Sequence, residues 1–391
     1  MKKGFTLTEL LAVFILLGII ALIAVPVMGT IKEEFKKSTF KESAKGILKA
    51  GQTFYAENDY ENFPVEGIEV SNQKLKIKNR KQYNSGVLLY NTANGQFELQ
   101  LLSNGLYCAN GTLDDLNISK GNCETKDSCF TFTPSTGTIE KYDYQTCSSH
   151  VVIPEKINGV NVKNIASNAF VSDGFEYYCS SDKFLTKTVK PSTYIKQPNE
   201  ICLIKNAVEG IVSNNSLKSL MLPSTLETIG DNAFAGSSIK LLNLGKNNSL
   251  REIKEGAFVG NKNLKTVSIS TNNNLSIIGS YSFFNTPLKE FNFKSLTSLS
   301  VIDTGAFNGT SLINVDLSNA LNLTSIGEDA FFGITSTGTE LQLGDKSKVT
   351  NVGKKAFCNG PFIYQGWTNI DKYITPLQFT ESCLETITSI A

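Results

Sequence analysis

Three hydrophobic patterns follow one another along the chain. Residues 10–28 form a run of 19 without a charge, close to the roughly 20 residues that cross a bilayer as a helix. From Gly29 to Asn58 apolar side chains recur at helical intervals, at Ile31, Phe35, Phe40, Ala44, Ile47, Leu48, Phe54 and Tyr55. Lys32, Lys36, Lys37, Lys41, Lys45 and Lys49 occupy the other faces, so the spacing predicts an amphipathic helix continuing out of the uncharged run. Between Gly86 and Cys108 the period shortens to that of strands, and Asn94-Gly95 between two apolar runs predicts a hairpin.

From Val151 onward one motif recurs. The pattern apolar-x-x-x-small-Phe reads IASNAF at 165–170, IGDNAF at 229–234, IKEGAF at 253–258, IGSYSF at 278–283, IDTGAF at 302–307, IGEDAF at 326–331 and VGKKAF at 352–357. After the first copy, successive phenylalanines lie 24, 25, 24, 24 and 26 residues apart. Between them runs L-x-x-L-x-L, as Leu217, Leu220, Leu222; Ile239, Leu242, Leu244; Leu264, Val267, Ile269; Leu288, Phe291, Phe293; and Leu312, Val315, Leu317. A fixed period of this length predicts a leucine-rich-repeat solenoid, each unit burying its apolar positions by stacking on its neighbours. The I-G-x-x-A-F form resembles the BspA-type leucine-rich repeats of bacterial surface proteins, over residues 151–360. The period breaks between Phe170 and Leu217, and residues 171–216, with Cys179 and Cys202, are expected to project as a disulfide-tied loop. Residues 361–391 are expected to cap the last repeat.

The first residues carry a second resemblance. Lys2, Lys3, Gly4 and Phe5 precede Glu9, a carboxylate at the mouth of an apolar helix, and Pro26 stands near the helix's far end. A charge there, costing up to about 3 kcal/mol at the bilayer centre, calls for a partner. An ordinary secretory signal has an h-region of about 7 to 15 residues and a small-x-small cleavage site, whereas Ala21-Leu22-Ile23-Ala24 runs straight into Val25-Pro26. The stretch GFTLTELLAVFILLGIIALIAVPV resembles the N-terminal signal of type IV prepilins and pseudopilins. The resemblance implies that a prepilin peptidase cuts after Gly4 and methylates Phe5, that residues 1–4 are a leader, and that Glu9 pairs with the Phe5 amine of a neighbouring pilin subunit during assembly. It further implies a long helix over 5–58, membrane-spanning at 10–28, packed on a pilin-like β domain over 59–150. A basic helix lying on anionic lipid is the alternative for the segment after Pro26.

Composition narrows the function. With 37 basic and 36 acidic residues the formal net charge is +1, which gives no field to recruit nucleic acid. Eight cysteines, at 108, 123, 129, 147, 179, 202, 358 and 383, point in an exported chain to disulfides. Of about 105 connectivities the simplest pairs neighbours: Cys108 with Cys123, Cys129 with Cys147, Cys179 with Cys202, and Cys358 with Cys383. There is no C-x-x-C and the single histidine is His150, so neither a zinc site nor any other metal or cofactor is expected. No P-loop, H-E-x-x-H or G-x-S-x-G is present, and the chain is not expected to be an enzyme.

A binding face is easier to place. If the leucines of L-x-x-L-x-L point inward, the interleaved residues face solvent. Met221, Asn243, Ser268, Asn292 and Asp316 then form one row, and Ser219, Leu241, Thr266, Glu290 and Asn314 the next. Asn243, Ser268, Asn292 and Asp316 are the candidate ligand contacts, suited to an extracellular glycan or protein. The expected fold class is therefore α+β: a transmembrane helix with a small antiparallel sheet, followed by the solenoid. The expected role is a minor pilin or pseudopilin-like subunit held in the cytoplasmic membrane and displaying an adhesive domain outside, the alternative being an anchored adhesin that does not polymerise.

Overall fold

The computed structural model describes residues 7–57, 68–70, 75–77, 82–83, 85–91, 95–121, 123–172, 174–180, 187–190, 196, 200–209, 217–244, 248–269, 274–334, 339–342, 349–358 and 362–365. The side chains before residue 31 and those of residues 69, 85, 91, 180, 187, 241, 339–342 and 362–365 are not described. Two compact units divide the chain, residues 1–63, 67–89 and 97–123 in the first, and 64–66, 90–96 and 124–391 in the second.

The first unit is built on α1 (Leu7–Glu57), a continuous helix of 51 residues, about 77 Å long at 1.5 Å per residue. Its apolar positions divide between two sides. Phe40, Ala44, Ile47 and Leu48 are buried, whereas Ile31 and Phe35 stay 63% and 72% exposed. At 100° per residue these two lie on the side opposite Phe40, so the apolar stripe is broken between two faces of the helix. The helix lies against an antiparallel sheet of β1 (Ile68–Glu69), β2 (Ser85–Asn91), β3 (Gln96–Ser103), β4 (Tyr107–Thr112) and β5 (Leu116–Lys120), ordered as numbered. Gly51 sets the approach: a Cβ there would come within 2.4 Å of Leu88 Cδ2 and 2.9 Å of Phe97 Cδ1. β2 and β3 are neighbours, as the hairpin predicted; Asn94 lies outside the described residues. Tyr107 donates from Oη to the Glu33 carbonyl at 3.1 Å, and Cys108 is bonded to Cys123.

The second unit is the solenoid, and it starts earlier than His150. β6 (Phe130–Thr133) and β7 (Thr138–Tyr142) form an antiparallel hairpin, and β7 pairs in parallel with Asn164–Ile165, Ile139 opposite Ile165. The ladder continues through Thr228–Ile229, Glu252–Ile253, Ile277–Ile278, Val301–Ile302, Ser325–Ile326 and Asn351–Val352. The Cys129–Cys147 disulfide thus belongs to the solenoid's closed edge, where an antiparallel strand covers the first parallel one. A second ladder carries the L-x-x-L-x-L strands: His150–Val152, Ser219–Met221, Leu241–Asn243, Thr266–Ser268 and Glu290–Phe291. A separate run of Asn314–Asp316, Thr339–Gln342 and Phe362–Gln365 follows. The last of these makes residues 362–365 a further rung; the rest of the expected cap lies outside the described residues.

The motif explains itself in three dimensions. Its phenylalanines stack along the core as Phe234, Phe258, Phe283, Phe307, Phe331 and Phe357, with every successive centroid separation 5.3 Å and planes within 16°. Phe170 joins at 4.8 Å, and Tyr142 heads the column 5.1 Å from Phe170. Two residues before each phenylalanine the backbone is left-handed, at Asn168, Asn232, Gly256, Tyr281, Gly305, Asp329 and Lys355, with φ between 52° and 61°. Asn, Gly and Asp dominate this column because they tolerate that region.

The described residues of the segment 171–216 do not project. They form three antiparallel strands, Tyr177–Ser180, Lys187–Val189 and Ile201–Ile204, and a short helix, Lys205–Glu209. Cys179 and Cys202, opposite each other in neighbouring strands, are disulfide-bonded. Val171, Leu203, Ile204 and Ala207 bury themselves against Ala235, Val259 and Tyr281 on the turns of the repeats. A segment with that many apolar side chains gains more by covering the turns than by standing in water.

Candidate functional site

The L-x-x-L-x-L ladder fixes where the predicted contact residues sit. Met221 pairs with Asn243, and Asn243 with Ser268, so the first three members of the row lie side by side. There the regularity ends, because Phe293–Ser295 turns as a 3-10 helix and Asp316 belongs to the next run of strands, opposite Gln342. Phe291 and Phe293 stand where other coils carry smaller apolar residues. Their rings pack 4.6 Å apart and against Phe307 at 5.0 and 5.1 Å.

The face is less open than alternation implies. Ser268 and Thr266 are buried, at 0% and 2% exposure, which corrects their expected place in solvent. Both are short side chains between longer ones: Asn243 stands on one side of Ser268, and Thr266 Oγ1 lies 3.4 Å from Glu290 Oε2 on the next rung. Asn243, Asn292 and Asp316 are half-buried and Asn314 is exposed. The Asn292 amide donates to Ser295 Oγ at 2.6 Å and to the Ile269 carbonyl at 3.4 Å, holding the 3-10 turn. Asp316 Oδ1 accepts from the Ser318 amide at 3.0 Å, and its Oδ2 lies 3.8 Å from Lys294 Nζ. His150 Nδ1 lies 3.0 Å from Ser219 Oγ on the adjacent strand. The face thus offers amides, a carboxylate and a lysine around the bend at Asn292, a set that hydrogen-bonds neutral polar groups from a mostly fixed frame.

A second polar constellation, which sequence spacing did not reveal, joins the insert to the repeat turns. Asn232, in its left-handed position, donates from Nδ2 to the Cys202 carbonyl at 2.7 Å and accepts from the Ile204 amide at 3.3 Å. One coil further, Glu255 Oε1 accepts from the Cys202 amide at 2.7 Å and from Lys196 Nζ at 2.9 Å. Asn168 donates to Tyr177 Oη at 2.7 Å, and Asn285 to the Val208 carbonyl at 3.2 Å. Burial holds the Glu255 carboxyl above its ordinary range, with Lys196 and the Cys202 amide pulling down and Asp231 adding to the rise. Burial and the nearby Asp329, Glu328 and Glu255 push the Tyr281 hydroxyl up to about 12. The only sequence signal was the recurrence of Asn and Asp in the turn column.

Among the described residues one group of potential metal ligands converges, Cys179, Glu200 and Cys202. Its two sulfurs are already bonded to each other, so no thiolate pair is available to a cation. Cys358 is disulfide-bonded too, while Cys383 lies outside the described residues. Gly4 and Phe5 also lie outside them. Glu9 and residues 10–28 fall within α1, but their side chains are not described. Among the described residues no helix is long and apolar enough to cross a membrane.

Residues 193–314 and 300–389 match the BspA type leucine rich repeat region, in six copies. Solved structures that match the chain include a leucine-rich repeat protein of T. pallidum, 19% identical over 68% of this chain and 94% of that one, TM-score 0.36. A leucine rich cell surface protein of Faecalibacterium prausnitzii is 20% identical over 59% of this chain and 50% of its own, TM-score 0.30. A leucine-rich repeat protein of Bacteroides ovatus is 18% identical over 71% of this chain and 69% of its own, TM-score 0.30. No curated protein matches the chain.

Proposed function

Because the chain belongs to the BspA type leucine-rich-repeat family, we propose that its solenoid is a binding module, displayed outside the cell and used for adhesion or ligand recognition rather than catalysis. The observation that carries this reading is the polar frame around Asn243, Asn292 and Asp316, set on a solenoid closed at its edge by the Cys129–Cys147 disulfide. Disulfides persist in oxidising compartments, and the three bridges among described residues support an extracellular setting. A frame of amides and one carboxylate suits a glycan or a peptide backbone, whose partners are hydrogen bonds in fixed directions.

The N-terminus gives the module its address. In this proposal prepilin peptidase cuts after Gly4, residues 10–28 hold the chain in the cytoplasmic membrane, and Glu9 pairs with the Phe5 amine of another pilin subunit. The protein is then a minor pilin or pseudopilin-like subunit carrying the solenoid. What supports it is the spacing of Gly4, Phe5, Glu9 and Pro26 and the continuity of α1 through that proline. Mass spectrometry of the N-terminal peptide, from sheared surface filaments and separately from membranes, tests it. Methylated Phe5 in the filament fraction is expected; an intact Met1 confined to membranes defeats the pilin assignment and leaves an anchored adhesin.

A further inference from the structure

Four successive coils place a lysine directly after the first apolar residue of L-x-x-L-x-L: Lys218, Lys240, Lys265 and Lys289. The register of the strands that follow sets these lysines side by side. Met221 lies opposite Asn243, Leu241 opposite Thr266 and Thr266 opposite Glu290. The Lys265 amide donates to the Lys240 carbonyl at 3.1 Å, and the Lys289 amide to the Lys265 carbonyl at 2.9 Å. Neighbouring members of the column therefore stand about 4.8 Å apart at the backbone. All four reach solvent, Lys218 and Lys289 as exposed side chains and Lys240 and Lys265 as half-buried ones.

Like charges directly opposite each other on neighbouring strands repel and cost stability, and interleaved acids would relieve that cost. Elsewhere in this unit Lys163, Lys196, Lys205 and Lys294 do lie beside carboxylates, those of Glu227, Glu255, Glu176 and Asp316. Among the described residues none of the four column lysines has an acidic partner. Glu290, the one carboxylate in the row next to them, lies 3.4 Å from Thr266 Oγ1. The opposite ladder is built differently. There the hydroxyls of Ser276, Ser300, Thr324 and Thr350 each donate to a carbonyl of the coil before, at 2.9 to 3.3 Å. One face closes on itself with hydrogen bonds, and the other holds a line of cations for an external anion to neutralise.

We propose that this column binds a linear acidic polysaccharide, a chain with one carboxylate per sugar, laid across the coils along the solenoid axis. The inference rests on the reading of the solenoid as an extracellular binding module and names the chemistry of its ligand. Spacing selects the occupant. Phosphates follow one another at about 3.4 Å along one strand of a nucleic acid duplex, and side chains on one face of an extended peptide recur at about 6.6 Å. One pyranose ring with its glycosidic oxygen falls between these and comes nearest to the distance between coils. The flexible four-carbon stems of lysine take up the remaining mismatch. A formal net charge of +1 does not oppose this, because the attraction acts within a screening length of about 10 Å.

Retention of the purified full-length protein on immobilised polygalacturonate tests this, with neutral dextran, polyglutamate and single-stranded DNA as the comparison surfaces. Retention on polygalacturonate is expected to exceed that on the other three and to fall steeply between about 0.1 and about 1 M salt, as the screening length shortens from about 10 to about 3 Å. Lys240→Gln with Lys265→Gln should weaken it about tenfold, the combined worth of two surface ion pairs. Lys240→Arg with Lys265→Arg should keep it. Arg251→Gln with Lys354→Gln removes the same charge from exposed positions beside the opposite ladder and should leave it unchanged. Full retention in the Lys240, Lys265 glutamine pair, an equal loss in the Arg251, Lys354 pair, or a preference for polyglutamate or DNA overturns the proposal. Retention on dextran that Asp316→Ala abolishes, with none on polygalacturonate, would leave the binding module standing without the lysine column; retention on none of the four surfaces counts against both.

Discussion

Phe307 and Phe331 lie with ring centroids 5.3 Å apart and planes inclined by only 5°. The same pair of values, within a few degrees, recurs along the column from Phe258 onward. In a solenoid each coil is stabilised mainly through its neighbours, so one ring removed weakens two interfaces. Phe307 also meets Phe291 and Phe293. Phe307→Ala is therefore expected to cost about 3 to 5 kcal/mol, as for other large-to-small core changes. Urea denaturation followed by circular dichroism reads it; a loss under about 1 kcal/mol would mean that the coils stand without the column.

Lys355 occupies the left-handed turn position at φ 55°, where every other coil but that of Tyr281 places Asn, Gly or Asp. Its side chain is exposed, so the backbone cost has no packing to offset it. Lys355→Gly is expected to stabilise by about 0.5 to 1 kcal/mol. Tyr281 carries the same strain at φ 54° but packs edge-on to Phe284 at 5.5 Å. Tyr281→Gly should therefore destabilise. Opposite signs for the two substitutions in one thermal melt series separate backbone strain from side-chain packing.

These two positions show what the sequence did and did not disclose. Period and motif announced the solenoid, and closeness along the chain announced three of the cysteine pairings, Cys108–Cys123, Cys129–Cys147 and Cys179–Cys202; the stacking of the motif phenylalanines into one column was not read from their spacing. Tyr142 was missed as the column's first ring, since it stands three residues after Ile139 instead of five. The 3-10 turn after Asn292 was missed because a hydrophobic pattern counts Phe291 and Phe293 as ordinary apolar positions of the repeat. Insert docking was hidden altogether. It depends on Asn232 and Glu255 meeting a backbone dozens of residues away, and no periodicity records that.

Gly51 marks the closest approach of α1 to its sheet, with Leu88 and Phe97 where a side chain would go. Gly51→Leu cannot be absorbed by small shifts and is expected to cost about 1 to 3 kcal/mol through overpacking. The loss should show as faster hydrogen exchange at Phe40–Leu48 and β3, with the ladder residues 252–258 unchanged. Equal acceleration in both units would contradict the division of the chain.

The Cys129–Cys147 bridge closes a short loop at the solenoid's first edge, and chain-entropy reasoning gives such a loop about 3 kcal/mol. The double substitution Cys129→Ser, Cys147→Ser should lower the denaturation midpoint accordingly and expose the hairpin of β6 and β7 to protease first. Cys179→Ser, Cys202→Ser removes a loop of similar length but should spare the main core, which contains none of the insert's described residues. If both pairs lower the core's stability alike, the insert is not a separate element.

The binding face yields a contrast that alternation alone would not. Asp316 keeps only 12% of its side chain in solvent, beside Lys294, whereas Ser268 is wholly enclosed. Asp316→Ala and Asn243→Ala should weaken attachment of the full-length protein to its target surface several-fold, because both half-buried side chains retain contact with solvent; Asp316→Ala also gives up the bond from the Ser318 amide, at about 0.5 to 1.5 kcal/mol. Ser268→Ala should leave attachment intact and lower stability instead, since its hydroxyl sits inside the protein, where an unsatisfied or lost hydrogen bond costs about 1 to 3 kcal/mol. Measuring attachment and denaturation on the same three variants separates a ligand contact from a structural one. Attachment kept in both Asp316→Ala and Asn243→Ala would move recognition away from this ladder.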